Sequence, residues 1–427
     1  MKKYFLHSLG CKVNSYENAS IGTILSSSGY CETKREEEAD VIVLNTCSVT
    51  GKADQKSRQH ISSYRRGNPK AAIVVMGCYS QTHAEESLAL GADIVLGSSS
   101  RGQIPAYLDS FFRTGEKIVD VKRSVRKESY EELGANAFCE NARAYLKIQD
   151  GCDNFCSYCF IPFLRGNSRS REARQVLKEA EALTRAGYKE IILTGIHIGG
   201  YGKDLGDGSY RISSLIEDIL YQCPDLYRLR VSSIEESEID GKFLSLLKSK
   251  PQIASHLHIP LQSGCSEVLR RMKRKYDTDA FLAKLSAIRE ARPGIAITTD
   301  VIAGFPGENQ QEWEQTLRFC EKADFAEIHV FPFSSRPGTY AATLPDLPPQ
   351  VKKQRVGELL ELSHALRKRY EEGFYGKEME VLFEDYSPQK KTARGHSSNY
   401  LLFEVPAEAP RHGEVAKIVY NPSVAAD

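Results

Sequence analysis

The chain has 427 residues, of which 41% are hydrophobic and 26% are charged. This composition excludes a mainly disordered chain, and the length allows two or three domains. The formal net charge is +1, so any nucleic-acid surface must be a local patch. The opening MKKYFLHSLG is too short an apolar stretch for a signal peptide, and no run approaches the ~20 apolar residues of a membrane span. We therefore expect a cytoplasmic protein with reduced thiols and no membrane partner.

Residues 1–120 are predicted to form a first domain of the α/β class. Its apolar strands cover residues 3–9, 40–45, 71–76 and 93–96, and its helices lie near residues 15–28, 52–64 and 82–89. Short, solidly apolar strands that alternate with helices indicate a parallel sheet covered on both faces. We expect a doubly wound, flavodoxin-like sheet.

Three cysteines of this domain, Cys11, Cys47 and Cys78, each follow a predicted strand end. Right-handed crossovers place the carboxyl ends of parallel strands at one edge, where ligands bind. Gly10 and Gly77 allow the backbone to approach a bulky group closely. Buried core cysteines are the alternative, but three at one topological position favour a ligand set.

A second domain is predicted over residues 138–370, after a charged linker. Its strands cover residues 144–149, 190–194, 226–232, 257–260, 296–302 and 327–332, with helical stretches between them. Six such units indicate a full or partial βα barrel, whose functional residues gather at the carboxyl ends of the strands.

A compact C-x3-C-x2-C loop follows the first strand of this barrel and contains Cys152, Cys156 and Cys159. A cubane iron–sulfur cluster takes four ligands, so three thiolates leave one iron open to a small molecule. Zinc is the alternative, but it prefers four ligands from paired half-sites, and no fourth Cys or His is close by in the loop. The remaining cysteines have no ligand spacing and are expected to be ordinary thiols; they are Cys31, Cys139, Cys223, Cys265 and Cys320.

The cysteine loop GCDNFCSYC resembles that of the radical S-adenosylmethionine (SAM) enzymes. Further motifs make the chain similar to the methylthiotransferases within that superfamily, namely LGCKVNSYE, NTCSVT, MGCYSQ, ILTGIHIGGYG, HIPLQSGC and TDVIAGFPGE. The resemblance implies two 4Fe-4S clusters, one on each cysteine set, and two uses of SAM. The first-domain cluster would supply methylated sulfur, and the barrel cluster would cleave SAM to a 5′-deoxyadenosyl radical.

The opening LGCKVNSYE resembles the type that adds a methylthio group to C2 of N6-threonylcarbamoyladenosine, at tRNA position 37 beside the anticodon. The implied partners are the tRNA anticodon stem-loop, SAM and a flavodoxin-like or ferredoxin-like electron donor. Other targets within the family are N6-isopentenyladenosine and a ribosomal-protein side chain. A non-catalytic iron–sulfur protein that binds RNA or relays electrons, and a zinc scaffold, are alternatives of other classes.

Six residues near the barrel strand ends are candidate contacts to SAM. Each could instead be a turn residue or a backbone partner, and Glu236 stands where relatives of the family have proline. The candidates are Thr194, Gly195, Ser233, Glu235, Gln262 and Asp300.

Basic residues near the cysteine loop, Arg165 and Arg169, are candidate substrate contacts, because arginine forks match phosphates. The basic run RRMKRK at 270–275 is either an RNA contact or a solvated helix face. Residues 373–427 are predicted to form a small antiparallel β-barrel, which the family resemblance identifies as TRAM-like. This segment is slightly acidic, so RNA binding would need Lys390, Lys391 and Arg394 on one face.

Overall fold

The computed structural model describes residues 1–122, 125, 128–134 and 142–426. Part of the predicted linker, Cys139 and the predicted start of the second domain at residue 138 lie outside the described residues.

The first domain contains one parallel sheet of six strands. They are β1 (Lys3–Ser8), β2 (Cys31–Glu32), β3 (Val41–Thr46), β4 (Ala72–Gly77), β5 (Ile94–Leu96) and β6 (Ile118–Asp120). Their order across the sheet is β2-β1-β3-β4-β5-β6. The four predicted strands are confirmed as β1, β3, β4 and β5. The two additional edge strands are only two and three residues long, too short to produce a hydrophobic pattern.

Helices cover both faces of this sheet, as the continuous burial of β3 and β4 requires. The helices are α1 (Lys12–Ser27), α2 (Gly51–Gly67), α3 (Cys78–Thr82), α4 (Ala84–Ala89) and α5 (Ile104–Thr114). Alternate residues of the central strands enter two separate apolar clusters, one on each face.

The second domain contains all six predicted barrel strands and one short additional ribbon. The strands are β7 (Arg143–Lys147), β8 (Gln149–Asp150), β9 (Arg169–Ser170), β10 (Glu190–Thr194), β11 (Arg228–Val231), β12 (His256–His258), β13 (Ala296–Ala303) and β14 (Glu327–Pro332). They form two parallel three-stranded sheets, β11-β10-β7 and β12-β13-β14. Isolated bridges at Leu229–Ile253 and Ser233–His258 join the two sheets. The antiparallel ribbon of β8 and β9 brackets the cysteine loop.

Eight helices follow or connect these strands within the described residues. They are α6 (Ile161–Arg165), α7 (Ala173–Arg185), α8 (Ile212–Gln222), α9 (Gly241–Ser249), α10 (Ser266–Arg271), α11 (Thr278–Ala291), α12 (Gln310–Ala323) and α13 (Pro349–Glu372). Single 3-10 turns occur at Glu36–Glu38, Arg101–Gln103, Ile198–Gly200, Glu236–Glu238 and Tyr340–Thr343. Aliphatic strand residues such as Leu229 and Val231 pack against the helices in the largest apolar cluster. The alternate strand positions face the barrel interior and are mostly polar.

The final segment is a four-stranded antiparallel sheet in the order β17-β16-β15-β18, where these strands are β15 (Glu378–Ser387), β16 (Thr392–Ser397), β17 (Leu402–Pro406) and β18 (Val415–Val419). A bulge between Phe383 and Asp385 interrupts the pairing of β15 with β16 and bends the sheet. Its side chains enclose a separate small apolar cluster. None of the described helices is both long and apolar enough to cross a bilayer.

The antiparallel sheet docks on β11 through two buried arginines. Arg228 Nη1 donates to the His396 carbonyl oxygen, and Arg230 Nη1 donates to the Ser398 carbonyl oxygen, both at 3.3 Å. Both arginines also pair with the buried Glu190 carboxylate, at 3.0 and 2.7 Å. Burial would raise the pKa of Glu190, but the charges of Arg230 and Arg228 outweigh it and lower the pKa to about 2.

We predict that Glu190→Gln destabilises the protein by about 3 kcal/mol at pH 7, because it leaves two buried arginines short of a carboxylate. A carboxylate with a lowered native pKa adds stability above its unfolded pKa, and that stability is lost as the pH falls from 4.5 towards 2. The difference in the midpoint temperature of thermal unfolding between wild type and variant should therefore become smaller below pH 4.5. The control Glu217→Gln removes an exposed partner of Lys242 and should have no measurable effect. A destabilisation independent of pH would contradict the assigned charge on Glu190.

Candidate active site

The first three predicted cysteines meet at one edge of the first sheet. Cys11 follows β1, Cys47 follows β3, and Cys78 begins α3 directly after β4. These strands pair in parallel, so their carboxyl ends lie side by side. Burial, followed by the neighbouring thiols of Cys78 and Cys11, raises the pKa of Cys47 to about 12. The three thiols therefore lie near one another, as the sequence predicts.

Two glycines allow the backbone to come close to this cysteine set. Gly10 has a φ of 98°, and a Cβ added there would lie 2.8 Å from Cys47 Sγ. Gly77 has a φ of 105°, and a Cβ there would lie 2.6 Å from the Thr46 carbonyl oxygen. Both torsions lie in the region that favours glycine. The backbone thus approaches the three thiols so closely that even a single added Cβ would clash. This arrangement fits a bulky iron–sulfur cluster.

Burial keeps the inner thiols of this set protonated until a cation replaces the proton. It raises the pKa of Cys78 above its ordinary value, while the charge of Arg165 and its hydrogen bond to the sulfur oppose that shift. Metal ions bind thiolates and release their protons. A metal cluster bound here would therefore displace the protons of these thiols.

Arg165 connects the first cysteine set to the barrel. Its side chain is fully buried, and Nε donates to Cys78 Sγ at 3.3 Å. Nη1 donates to Glu17 Oε1 at 2.7 Å, and Nη2 donates to Asn14 Oδ1 at 2.9 Å. Arg165 ends α6, the helix that follows the barrel cysteine loop. The donors of Arg165 are thus engaged inside the protein, whereas the sequence analysis predicted that this residue contacts the substrate through a phosphate.

Glu17 is the carboxylate at the centre of this contact between α1 and the barrel. It is fully buried, accepts from Lys147 Nζ at 2.8 Å, and pairs with Arg101 at 2.5 Å as well as with Arg165. Burial would raise the pKa of Glu17, but the charges of Arg101, Arg165 and Lys147 hold it well below its usual range. The carboxylate is therefore ionised and holds cations from both domains together.

Arg169, the second predicted substrate contact, also points into the protein. It is 8% exposed, and Nη1 donates to the Arg165 carbonyl oxygen at 2.6 Å. Nη2 lies 3.7 Å from Asp150 Oδ2, in a second buried carboxylate site that Lys147 shares at 2.6 Å. Both arginines therefore stabilise the junction between the domains.

The barrel cysteine loop lies between β8 and α6, beyond the carboxyl end of β7. The Cys159 amide donates to the Cys156 carbonyl oxygen at 2.9 Å, and the Asn154 amide donates to Cys152 Sγ at 3.5 Å. Burial, then the neighbouring Cys156 thiol, raises the pKa of Cys159 to about 12. Burial raises that of Cys152 to about 11. These three thiols share one short loop and are buried or partly buried, and they fit a cluster with the same chemistry.

Arg274 is a site residue that the sequence analysis did not identify. Its Nη1 donates to Cys156 Sγ at 3.2 Å, and its Nη2 lies 2.9 Å from Glu235 Oε1. Its side chain is 4% exposed, although it belongs to the basic run 270–275. Arg270 of the same run is exposed and, within the described part of the chain, pairs with Glu267 at 2.5 Å. The run therefore combines a solvated helix face with one arginine that contacts the cysteine loop.

The predicted SAM contacts near the second and third barrel strands lie close to this loop. Thr194 ends β10 and is buried. A Cβ at Gly195 would lie 2.8 Å from the Gln149 carbonyl oxygen, so any side chain there would be crowded. Glu235 accepts from Asn154 Nδ2 at 3.2 Å, in addition to pairing with Arg274. The structure thus brings Glu235 to the cysteine loop.

The other predicted contacts lie around His258, where the two halves of the barrel meet. Ser233 forms the bridge to His258. His258 Nε2 lies 3.2 Å from Asp300 Oδ2, and the Gln262 amide donates to the Asp300 carbonyl oxygen at 2.8 Å. Gln262 has a φ of 71°, which few residues other than glycine adopt. A second histidine, His329, groups with His258 and Asp300, with one possible ligand atom of each within 4.8 Å of the others.

Lys12 is a partly buried lysine of the first domain whose pKa is influenced by charges of the barrel. It is the first residue of α1, directly after Cys11, and is partly buried. Burial lowers the pKa of Lys12, the charges of Arg230 and Arg143 lower it further, and those of Glu190 and Asp300 raise it. Charged residues of the barrel thus influence the pKa of this first-domain lysine.

Of the three predicted basic contacts of the final domain, Lys390 and Lys391 are exposed and Arg394 is half-buried, and all three are paired. Lys390 and Arg394 lie 3.5 and 3.2 Å from the Glu404 carboxylate, and Lys391 lies 3.2 Å from Glu408. Exposed pairs of this kind contribute little to stability and break readily when a better anion approaches.

Comparisons with known proteins agree with this architecture. The structure aligns with the radical SAM methyltransferase TsrM from Kitasatospora setae, solved with cobalamin and a [4Fe-4S] cluster, at a TM-score of 0.57 and 16% identity, over 80% of this chain and 77% of that one. It also aligns with the cobalamin-dependent SAM radical enzyme OxsB at a TM-score of 0.51 and 13% identity, over 86% of this chain and 56% of that one. At such identities these matches show a shared fold alone.

Family models match both halves of the site. The model of the radical SAM superfamily matches residues 146–320, and that of the uncharacterized protein family UPF0004 matches residues 3–97.

Curated relatives match nearly the whole chain. The threonylcarbamoyladenosine tRNA methylthiotransferase MtaB of Bacillus subtilis is 41% identical, over 96% of this chain and 92% of its own. The MtaB of Thermotoga maritima is 35% identical over 95% and 91%. The tRNA-2-methylthio-N(6)-dimethylallyladenosine synthase of Acetivibrio thermocellus is 31% identical over 98% and 88%. With its two cysteine sets at strand ends and these full-length matches, the chain belongs to the radical SAM tRNA methylthiotransferase family.

Proposed function

We propose that this protein adds a methylthio group to C2 of N6-threonylcarbamoyladenosine at tRNA position 37, in the cytoplasm. The observation that supports this most directly is the pair of three-cysteine sets in a chain that matches MtaB proteins throughout. The buried Arg165, at the end of the helix after the barrel cysteine loop, donates to Cys78 Sγ of the first set. The dimethylallyladenosine-directed relative matches at lower identity, and we do not adopt that target or a ribosomal-protein one.

Each cysteine set is proposed to hold one 4Fe-4S cluster. Cys11, Cys47 and Cys78 would bind the cluster of the first domain, and the ligands of the barrel cluster would be Cys152, Cys156 and Cys159. When bound, the barrel cluster supplies the electron that cleaves SAM to a 5′-deoxyadenosyl radical, and the first-domain cluster supplies the sulfur. A flavodoxin-like or ferredoxin-like protein is proposed as the electron donor.

Around the barrel cysteine set, side chains of the protein are proposed to bind and orient the cluster and SAM. Arg274 donates to Cys156 Sγ and balances the negative charge that three thiolates and sulfide bring to the loop. Glu235, held by Arg274, offers a carboxylate that can accept from an ammonium or a ribose hydroxyl. The remaining proposed SAM contacts at the strand ends are Thr194, Gly195, Ser233, Gln262 and Asp300.

The domain assignments follow the same reasoning. We propose a flavodoxin-like methylthiotransferase domain over residues 1–120, supported by the strand order β2-β1-β3-β4-β5. A radical SAM barrel covers 138–370, and a TRAM-like module covers 373–427, supported by its bent antiparallel sheet. RNA contacts are proposed at Lys390, Lys391 and Arg394, whereas Arg165 and Arg169 have their donors in the protein interior.

The two clusters should have separable roles. We expect Cys152→Ala to abolish SAM cleavage, because the barrel cluster loses a ligand. We expect Cys47→Ala to form 5′-deoxyadenosine but no methylthio nucleoside, measured by mass spectrometry after anaerobic reconstitution with SAM and tRNA. Cys31→Ala, which removes an exposed cysteine outside both sets, is the matched control. Full product formation by Cys47→Ala would refute this division of roles.

Arg274→Gln should slow reductive SAM cleavage by about 10–100-fold, since loss of a group that contacts a metal ligand typically has an effect of that size. Losing a positive charge beside Cys156 should also make the cluster potential more negative, measurable by an EPR-monitored redox titration. Arg270→Gln removes an exposed arginine of the same run and should leave both quantities unchanged. An unaltered potential in Arg274→Gln would argue against its contact with the cluster.

Lys391→Glu should reduce the salt dependence of tRNA binding. Each lost phosphate contact lowers the slope of log K against log salt by about 1. Fluorescence anisotropy at several salt concentrations would measure the slope, with Lys417→Glu on the edge strand β18 as the control. The same slope in Lys391→Glu and wild type would place the RNA contact elsewhere.

A further inference from the structure

The segment 334–341, here called the strap, follows β14 and contacts both domains of the site. At its start, Ser334 Oγ accepts a hydrogen bond from the Gly51 amide at 3.1 Å, where α2 begins in the first domain. At its end, the Ala341 amide donates to the Ser157 carbonyl oxygen at 2.8 Å, within the barrel cysteine loop. One short segment therefore connects the first domain with the loop that holds the second cysteine set.

Arg336 is the main contact of the strap with the first domain. Its side chain is buried, Nη1 donates to Asp54 Oδ2 at 2.6 Å, and Nη2 donates to Ser48 Oγ at 2.8 Å. Ser48 directly follows Cys47, and its hydroxyl donates to Asp54 Oδ1 at 2.6 Å. The three side chains thus form a closed set of charge-assisted hydrogen bonds, which are strong in a buried place.

The residues that receive Arg336 also fix the backbone of Cys47. Ser57 Oγ donates to the Cys47 carbonyl oxygen at 3.2 Å. Thr50 caps the amino end of α2, and Asp54 lies in the first turn of that helix. Because Arg336 holds both this turn and the residue after Cys47, it sets the position of one member of the first cysteine set.

The centre of the strap is a closed β-turn. The Thr339 amide donates to the Arg336 carbonyl oxygen at 3.1 Å, and the Thr339 hydroxyl donates to the same oxygen at 2.8 Å. Pro337 and Gly338 are the central residues of this turn, and the φ of Gly338 is 89°. This pair is typical of a type II turn, in which proline restricts one torsion and glycine supplies the positive one. The connection between the two ends of the strap is therefore stiff.

The strap packs closely on the barrel cysteine loop. A Cβ added at Gly338 would lie 3.2 Å from Cε2 of Phe160, the residue that follows Cys159. Ala341 belongs to a buried apolar cluster, and Tyr158 of the cysteine loop packs against that cluster. The strap thus has a polar anchor beside the first cysteine set and an apolar anchor beside the second.

We propose that the strap positions the two cysteine sets relative to each other, and that Arg336 is its positioning residue for methylthio transfer. The inference rests on the proposed function, because sulfur from the first set must reach a nucleoside that reacts at the barrel. Arg165 supports Cys78 from the barrel, and Arg336 supports the Cys47 side through Ser48. Misplacement of reacting groups by about 1 Å can lower a rate on the order of 100-fold.

The first test measures how closely SAM cleavage is coupled to product formation. Wild type, Arg336→Gln and Arg336→Lys would be reconstituted anaerobically and incubated with SAM and an anticodon stem-loop that contains N6-threonylcarbamoyladenosine. In Arg336→Gln, the ratio of 5′-deoxyadenosine to methylthio nucleoside should rise about 10–100-fold, because the sulfur is misplaced. SAM cleavage without RNA and the iron and sulfide content should equal those of wild type. Arg336→Lys keeps the charge without the planar fork and should recover part of the coupling.

The second test needs no RNA and does not depend on activity. Amide hydrogen exchange of the reconstituted full-length enzyme, followed by peptide mass spectrometry, would report how firmly residues 47–57 are held. Exchange in this segment should be about 10-fold faster in Arg336→Gln, because local opening becomes more frequent when a buried ion pair is lost. Exchange in β10 should be the same as in wild type.

Arg355→Gln is the matched control for the loss of a buried arginine. Arg355 is buried like Arg336, and its Nη1 also donates to a carboxylate oxygen at 2.6 Å, in this case Glu308 Oε2. The variant should lower the midpoint temperature of thermal unfolding. It should leave the product ratio and the exchange of residues 47–57 as they are in wild type.

Gly338→Ala changes the strap from its barrel side and replaces Arg336→Gln if that variant does not fold. The added Cβ meets a positive φ and the ring of Phe160, so the turn must shift. The ratio of 5′-deoxyadenosine to methylthio nucleoside should rise in the same direction as in Arg336→Gln. A ratio equal to that of wild type would contradict the role of the strap.

Four results would overturn the inference. An unchanged ratio in Arg336→Gln would refute the positioning role, whatever the exchange rates. Equal losses of SAM cleavage and product would assign Arg336 to the barrel cluster, and a loss of iron would assign it to cluster assembly. The same uncoupling in Arg355→Gln would make the effect one of general destabilisation.

A failure of the proposed function would be recognised separately. Wild type would then cleave SAM but form no methylthio nucleoside on this stem-loop. The exchange of residues 47–57 would still decide the inference, because faster exchange in Arg336→Gln alone supports the anchoring of Cys47 by the strap, and equal exchange refutes it.

Discussion

The buried carboxylate of Glu17 is the interaction on which the arrangement of the two cysteine sets depends. It comes from α1 of the first domain, and it accepts from Lys147 and Arg165 of the barrel. Isolated in the interior, this charge would be very costly, so its cations must be present together. The same Arg165 donates to Cys78 Sγ. One network of charges thus fixes the domain interface and positions a sulfur of the first cysteine set.

Much of the fold was predictable because it depends on local apolar patterns. The strands β10 and β14 begin and end at the predicted residues, and the cysteines follow strand ends, where parallel topology brings them together. The C-x3-C-x2-C spacing also defines the barrel site without tertiary information, since its ligands share one loop. These features are encoded within short windows of sequence.

The rest depends on contacts between distant segments. Arg274 and Cys156 are 118 positions apart, and nothing in the run 270–275 distinguishes the arginine that reaches the sulfur from those in solvent. The burial of Arg165 likewise follows from the approach of α1, which a local reading of a basic loop cannot foresee. The charge of a residue in the sequence therefore did not reveal whether its side chain faces solvent, a cysteine sulfur or a buried carboxylate.

The docking of the final domain fixes the distance between the proposed RNA contact and the barrel. Arg228 and Arg230 donate hydrogen bonds to the carbonyl oxygens of His396 and Ser398. The Tyr400 ring stacks on His256 with centroids 4.6 Å apart. These contacts fix the position of the final domain relative to the barrel, so it does not move independently as a flexibly tethered domain would. The distance from its outer turn to the barrel cysteine loop is therefore set by the fold, and the RNA contact proposed at Lys391 would select an RNA whose modified base lies at that distance.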